Sequence, residues 1–95
     1  MSFTSSEKIE LKSKDVFLSL GFSLVQINGR TVYEREGSYY IFSFVNGLKS
    51  LVIESAISLS DAKKNMYEDS DLISADMEEG HILINLRELL IKYYI

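Results

Sequence analysis

The stretch Ser38–Glu54, SYYIFSFVNGLKSLVIE, constrains the fold of this chain more than any other. Two runs of β-branched and aromatic residues flank Asn46-Gly47. Asn-Gly is a strong hairpin signal, because a type I′ turn needs positive φ at both central residues and these two residues tolerate it. A two-residue turn there sets Val45 opposite Leu48, Phe44 opposite Lys49, Phe42 opposite Leu51, Ile41 opposite Val52 and Tyr40 opposite Ile53. Side chains alternate along a strand, so Tyr40, Phe42, Phe44, Leu51 and Ile53 share one face. Tyr39, Ile41, Val45, Leu48 and Val52 share the other.

Two further turn signals extend the pattern. Phe22–Ile27 and Arg30–Glu36 flank Asn28-Gly29, which predicts Val25 opposite Val32 and Leu24 opposite Tyr33. A turn at Glu36-Gly37 then predicts Tyr33 opposite Tyr40 and Val32 opposite Ile41. The faces stay consistent through all three turns, and agreement between independent signals argues for a real meander. Phe22, Leu24 and Tyr33 join the aromatic face; Val25, Ile27 and Val32 join the aliphatic one. Arg30, Glu34, Ser50 and Glu54 supply some of the polar residues a wet face needs. The aromatic face is expected to form the core beneath the helices. The aliphatic face is either covered by another segment of the chain or used for association, and cover is favoured because helical segments remain to supply it.

Ile9, Val16, Phe17 and Leu20 recur at helical spacing while Lys8–Lys12 alternates like a strand, which predicts a helix over about 13–20 and leaves residues 6–12 open between an extension of that helix and a strand. Ser13 is the expected N-cap, with Asp15 in the first turn, and Gly21 is the expected C′ residue. Residues 1–5 are expected to fray. Ser58 or Ser60 reads as the N-cap of a short helix with Asp61 in its first turn. Segment 68–79, EDSDLISADMEE, carries six acidic residues and no basic one. Leu72, Ile73 and Met77 are spaced to anchor one helical turn or a packed loop, so residues 56–80 read as a partly irregular acidic segment. Gly80 breaks it. His81–Ile84 reads as a fifth strand or as the lead-in to a last helix. Asn85 and Glu88 have the form of a capping box, followed by a helix over about 86–94 with Leu86, Leu89, Leu90 and Tyr93 as its apolar stripe. The fold expected is α+β: an N-terminal helix, a four-stranded antiparallel β-meander over about 22–55, and a C-terminal helix, in one small domain spanning 1–95.

Composition removes several chemistries. The chain of 95 residues contains no cysteine and one histidine, His81. Disulfides, thiolate metal sites and a cysteine nucleophile are excluded, and a multi-histidine metal site or a histidine-based triad cannot be assembled from this chain alone. Asp69-Ser70-Asp71 opens like a calcium loop. Ile73 then stands at a ligand position, Ser74 where glycine is required and Gly80 where the closing glutamate belongs, so that assignment fails. Glu34/Glu36 and Glu78/Glu79 are carboxylate pairs with no sign of the shared apolar pocket that would separate their pKa values. Gly21, Gly29, Gly37, Gly47 and Gly80 are isolated turn or cap glycines and form no phosphate-cradling motif. No cofactor and no metal are expected, and the chain is not expected to be an enzyme.

The net charge of −4 disfavours nucleic acid. Lys8, Lys12 and Lys14 are interleaved with Glu7, Glu10 and Asp15, and the aromatic strands lack the basic residues of a base-stacking sheet. No apolar run is long enough for a membrane span, and the N-terminus lacks a signal-peptide pattern, so a cytoplasmic protein is expected. The function expected is a small non-catalytic protein-interaction or regulatory module, of the inhibitor, immunity or adaptor kind, whose partner is another protein or a second copy. Glu68, Asp69, Asp71, Asp76, Glu78 and Glu79 are the candidate partner-binding residues, because a like-charge run steers an oppositely charged surface toward it. The alternatives are a homodimeric structural protein and a small-ligand-binding domain with a tyrosine-lined pocket.

Overall fold

In the computed structural model, which describes residues 5–45, 47 and 49–95, two glycine turns have both central residues in the left-handed region. Asn28 and Gly29 take φ of 55° and 74°, and Glu36 and Gly37 take 51° and 84°. This is the backbone that a type I′ turn requires. Glu36 gains no conformational help from its own side chain, but its neighbours hold the turn. Glu34 Oε2 accepts the Gly37 N–H at 3.0 Å, and Arg35 Nη1 donates to Glu36 Oε2 at 3.1 Å.

The turns join strand β1 (Ser23–Ile27) to β2 (Arg30–Arg35) and β2 to β3 (Ser38–Val45). Val25 lies opposite Val32, Leu24 opposite Tyr33 and Tyr33 opposite Tyr40, as the turn residues predict. The β2–β3 ladder then stops. It consists of Arg35/Ser38, Glu34/Tyr39 and Tyr33/Tyr40, so the expected pairing of Val32 with Ile41 is not made. Beyond this point the two strands part.

Strand β4 (Ser50–Ala56) pairs with β3 in a register two residues away from the expected one. Val45 faces Ser50, Phe44 faces Leu51, Phe42 faces Ile53 and Ile41 faces Glu54. The expected turn at Asn46-Gly47 and the pairing of Val45 with Leu48 involve Asn46 and Leu48, which lie outside the described residues. The cause of the shift is legible at Lys49. A two-residue turn would place its ammonium opposite Phe44 on the core face. In the observed register Leu51 takes that place, and Lys49 sits exposed outside the strand with φ of 48°. Because the slip is even, each side chain keeps its face.

A fifth strand, β5 (Glu68–Ser74), completes an antiparallel sheet in the order β1-β2-β3-β4-β5. The acidic segment expected to be a helical turn or loop is therefore extended in its first half. Its alternation decides this: Ile73 is buried opposite Leu51, while its neighbours Leu72 and Ser74 are exposed. A bulge between Ile53 and Glu54 leaves Ser70 as the extra residue, with its Oγ 2.6 Å from Ser55 Oγ.

Helix α1 (Ser5–Ser19) and helix α3 (Glu79–Tyr93) cover the aromatic face. Residues 6–12, open between helix and strand in the sequence, belong to α1, and α3 begins earlier than expected. In α1, Ile9, Ser13 and Phe17 are buried at spacing i, i+4, i+8, so Ser13 is not an N-cap but an interior residue. Its hydroxyl donates to Glu10 O at 2.7 Å, which allows it to be buried without loss. In α3, Ile82, Leu86 and Leu90 have no exposed surface and form one continuous stripe. Asn85 therefore lies in mid-helix rather than at a cap, and His81–Ile84 belongs to the helix. The N-cap position is Glu78. Gly21 ends α1 as expected, at φ of 91°. The Phe22 N–H donates to Phe17 O at 3.1 Å and the Gly21 N–H to Leu18 O at 3.2 Å, the two bonds of a Schellman motif.

The aliphatic face carries its own cluster of Ile27, Val32, Ile41, Ala56 and Ala62, with Val25, Tyr39 and Tyr67 packed against it. The connection from β4 to β5 supplies the cover. It contains the short helix α2 (Leu59–Lys63), whose expected cap Ser58 accepts the Asp61 N–H at 3.1 Å. Asn28 Nδ2 donates to Lys63 O at 2.8 Å and Arg30 Nη1 to Asn65 Oδ1 at 3.0 Å, so the connection straps across to the β1–β2 turn.

Phe17 is the contact on which this packing converges. Its ring stacks on Tyr33 (4.0 Å, 8°), meets Phe22 edge-on (5.1 Å, 87°) and tilts against Phe42 (5.8 Å, 56°). Phe17→Ala is expected to lower the unfolding free energy by about 3–5 kcal/mol. Urea denaturation measures it; a loss under about 1 kcal/mol would mean that the aromatic cluster does not anchor α1.

Candidate protein interface at the acidic edge

Among the described residues, strand β5 ends the sheet and its outer side carries no further strand. The Ala75 N–H donates to Lys49 O at 3.2 Å. Alternate residues of a strand direct their backbone groups to opposite sides, so Ile73 and Asp71 point into the β4 ladder. Leu72 and Ser74 consequently present their N–H and C=O groups at the open edge. Leu72 is also 58% exposed.

Helix α3 runs beside this edge. Tyr94, just past its end, donates from Oη to Asp71 Oδ2 at 2.6 Å, and Asn85 Nδ2 approaches Met77 Sδ at 3.3 Å. Between strand and helix lies a groove of about 380 Å³ lined by Leu72, Ile73, Ser74 and Met77 on one side. Asn85, Glu88, Leu89, Lys92 and Tyr93 line the other, at helical spacing i, i+3, i+4, i+7 and i+8. This stripe adjoins the core stripe of α3 but is not part of it.

The six candidate acidic residues divide by role. Asp71 is half-buried and accepts the Tyr94 hydroxyl, and Glu79 is half-buried and pairs with Lys12. Both serve the fold. Glu68 and Asp69 are exposed at the start of β5, while Asp76 and Glu78 are exposed in the connection from β5 to α3. The edge and its groove thus have a carboxylate pair at each end. Asp69 also stands directly opposite Glu54 across the β4–β5 ladder. Like charges so placed oppose folding by about 0.2–1 kcal/mol, so stability does not account for Asp69.

Leu89 and Tyr93 were expected in the core stripe of the last helix; Tyr93 is instead 63% exposed, and both line the groove. That apolar run was legible in the sequence. The edge was not, because acidic residues are depleted in strands and masked the alternation around Ile73.

A second concavity, of about 550 Å³, opens where β2 and β3 part beneath α1, between Lys14, Tyr33, Arg30 and Phe42. Glu10 Oε1 accepts the Phe44 N–H there at 2.8 Å and so satisfies a donor that the interrupted ladder leaves to one side. Tyr33 contributes a ring already stacked in the core, and burial raises its hydroxyl pKa. Among the described residues, no three histidine, cysteine or carboxylate side chains are grouped to hold a metal ion, and no helix is long and apolar enough to cross a membrane. His81 is exposed on α3. No family model, curated protein or solved structure matches the chain.

Burial, then the hydrogen bond to Asp71, hold the Tyr94 hydroxyl well above the ordinary tyrosine value of 10.0. The unfolded chain releases this proton near the ordinary value and the folded chain only at higher pH. Its stabilising effect is therefore complete below about pH 10 and lost as pH rises further. Tyr94→Phe is expected to cost about 1 kcal/mol at neutral pH. The gap between the two proteins in urea denaturation is expected to stay constant up to about pH 10 and to narrow between about pH 10 and 11. A gap that stays constant over that range would show that Asp71 does not hold the hydroxyl.

Proposed function

We propose that this chain is a non-catalytic protein-interaction module that takes an extended, basic segment of a partner protein as a sixth strand on β5. The observation that carries this reading is that the acidic segment is itself the open edge of the sheet, with an apolar-floored groove beside it. Strand addition draws affinity from main-chain hydrogen bonds and specificity from pockets for alternate side chains. Leu72 and Ser74 offer the main-chain groups. Met77, Leu89 and Tyr93 offer apolar surface to every second side chain of the incoming strand. Glu68, Asp69, Asp76 and Glu78 favour Lys or Arg at its two ends, through long-range attraction and exposed ion pairs.

The same carboxylates discourage uncontrolled edge-to-edge pairing, because acidic edges repel one another. Placing Asp69 against Glu54 at a cost in stability favours retention for recognition.

A random-peptide display library panned against the intact protein tests the proposal. Enriched peptides are expected to alternate apolar residues between Lys or Arg ends, and to shift the amide resonances of Leu72, Ser74 and the α3 stripe. Asp69→Asn separates recognition from folding. It is expected to raise stability by a few tenths of a kcal/mol while weakening such a peptide up to about fivefold. Enriched peptides that map elsewhere, or a variant that binds as tightly as the original chain, would overturn the proposal.

A further inference from the structure

Among the described residues the sheet has two open edges, and their chemistry is opposite. On β1, the residues Ser23, Leu24, Val25, Gln26 and Ile27 include no charge, no proline and no bulge. These are the usual devices by which an exposed edge avoids pairing with another chain. The surroundings of β1 are apolar as well. Leu24 is 36% exposed on one face, with Leu18 of α1 43% exposed on the same side of the sheet. On the other face a groove of about 440 Å³ runs between β1 and α2, lined by Val25, Ile27, Tyr39, Leu59 and Lys63 among others.

We infer that β1 pairs antiparallel with β1 of a second copy, joining two sheets into one of ten strands. The hydrogen-bond phase fixes the register. The two-residue turn at Asn28-Gly29 makes Ile27/Arg30 a hydrogen-bonded pair, so Ile27, Val25 and Ser23 direct their backbone groups to β2. Leu24 and Gln26 direct theirs outward. A two-fold axis through Val25 sets Leu24 opposite the partner's Gln26, and Gln26 opposite the partner's Leu24. Each of these pairs exchanges both N–H···O bonds, so every outward donor and acceptor of Leu24 and Gln26 is used. The contact is self-complementary, as a two-fold interface must be.

Val25 then meets the partner's Val25 on the aliphatic face, and Leu59 of each copy extends the apolar contact. Lys63 lies at the turn end of β1, where its carbonyl accepts from Asn28. The two-fold therefore places the two Lys63 side chains at opposite ends of the interface, where they do not repel. The same operation applied to β5 would bring acidic strand against acidic strand, so β1 is the edge that selects a second copy. This inference stands apart from strand addition on β5, because it involves the opposite edge and different residues.

Sedimentation velocity across about 5–500 μM is expected to show a concentration-dependent dimer and nothing larger. Leu24→Lys and Gln26→Pro are each expected to shift the protein to monomer with an unchanged circular dichroism spectrum. Proline is admissible at position 26 because its N–H is not in the β1–β2 ladder. Since the natural chain has no cysteine, Val25→Cys gives a direct readout of register. Opposed residues of a non-hydrogen-bonded pair lie about 4.5 Å apart at Cα, within disulfide range. Mild oxidation is expected to give a covalent dimer from Val25→Cys and none from Ser23→Cys, which faces the partner's Ile27. A strictly monomeric natural chain, an open series of oligomers, or a dimer that survives both Leu24→Lys and Gln26→Pro would overturn the inference. Asp69→Asn is expected to leave the dimer intact, so a failure of strand addition on β5 remains distinguishable.

Discussion

The packing of Phe17 against Tyr33 is the contact that orients the two layers of this fold. It is one ring from α1 on one ring from the sheet, nearly parallel. Phe22 closes on the same ring three residues after α1 has ended, and the Schellman hydrogen bonds fix the angle at which the chain leaves the helix for β1. A hydrophobic contact across a helix C-terminus is ordinarily a local device. Here its partner is also the first core residue before the sheet, so the helix stop, the entry into the meander and the interlayer packing are one event. With α1 placed, α3 fills the remaining width of the aromatic face. Leu86 and Leu90 are buried there, and Tyr94 reaches the β5 edge.

Much of the sheet was legible because turn chemistry and side-chain alternation are both local. Asn28-Gly29 and Glu36-Gly37 fixed their registers without any knowledge of tertiary structure. The register after Phe44 was not local. It depended on whether Lys49 or Leu51 would stand opposite Phe44 on the core face, which is a question of burial, and burial overrode the turn signal. The helices were under-read for the same reason from the other side. Ser13 interrupts the apolar stripe of α1, and only its bond to Glu10 O makes it acceptable inside. Asn85 imitated a cap whose real counterpart, Glu78, makes no side-chain cap bond at all. Of the candidate site, the acidic residues were visible and the strand that carries them was not. Glu68, Asp69 and Asp71 have poor strand propensity, and pairing with β4 supplied the structure that their own preferences withheld.

The two edges express a division of labour that a small sheet can offer cheaply. Central strands β2, β3 and β4 contribute the core. Edge strands contribute backbone groups that the fold itself does not consume, and the side chains nearby decide what satisfies them. On β5 those side chains are carboxylates around an apolar groove, which in our proposal select a strand of opposite charge. On β1 they are uncharged, which permits an identical strand.

The early end of the β2–β3 ladder has a consequence for how these edges are connected. Only three residue pairs, all near the Glu36-Gly37 turn, join the β1–β2 hairpin to the rest of the sheet by backbone hydrogen bonds. Where the strands part, a side chain of α1 takes the place of a ladder bond, with Glu10 holding Phe44. The sheet is thus two ribbons sharing a short seam, with α1 laid across both as a splint. A strain applied at one edge can reach the other by that short seam, by α1, and by the strap that ties Asn28 and Arg30 to Lys63 and Asn65.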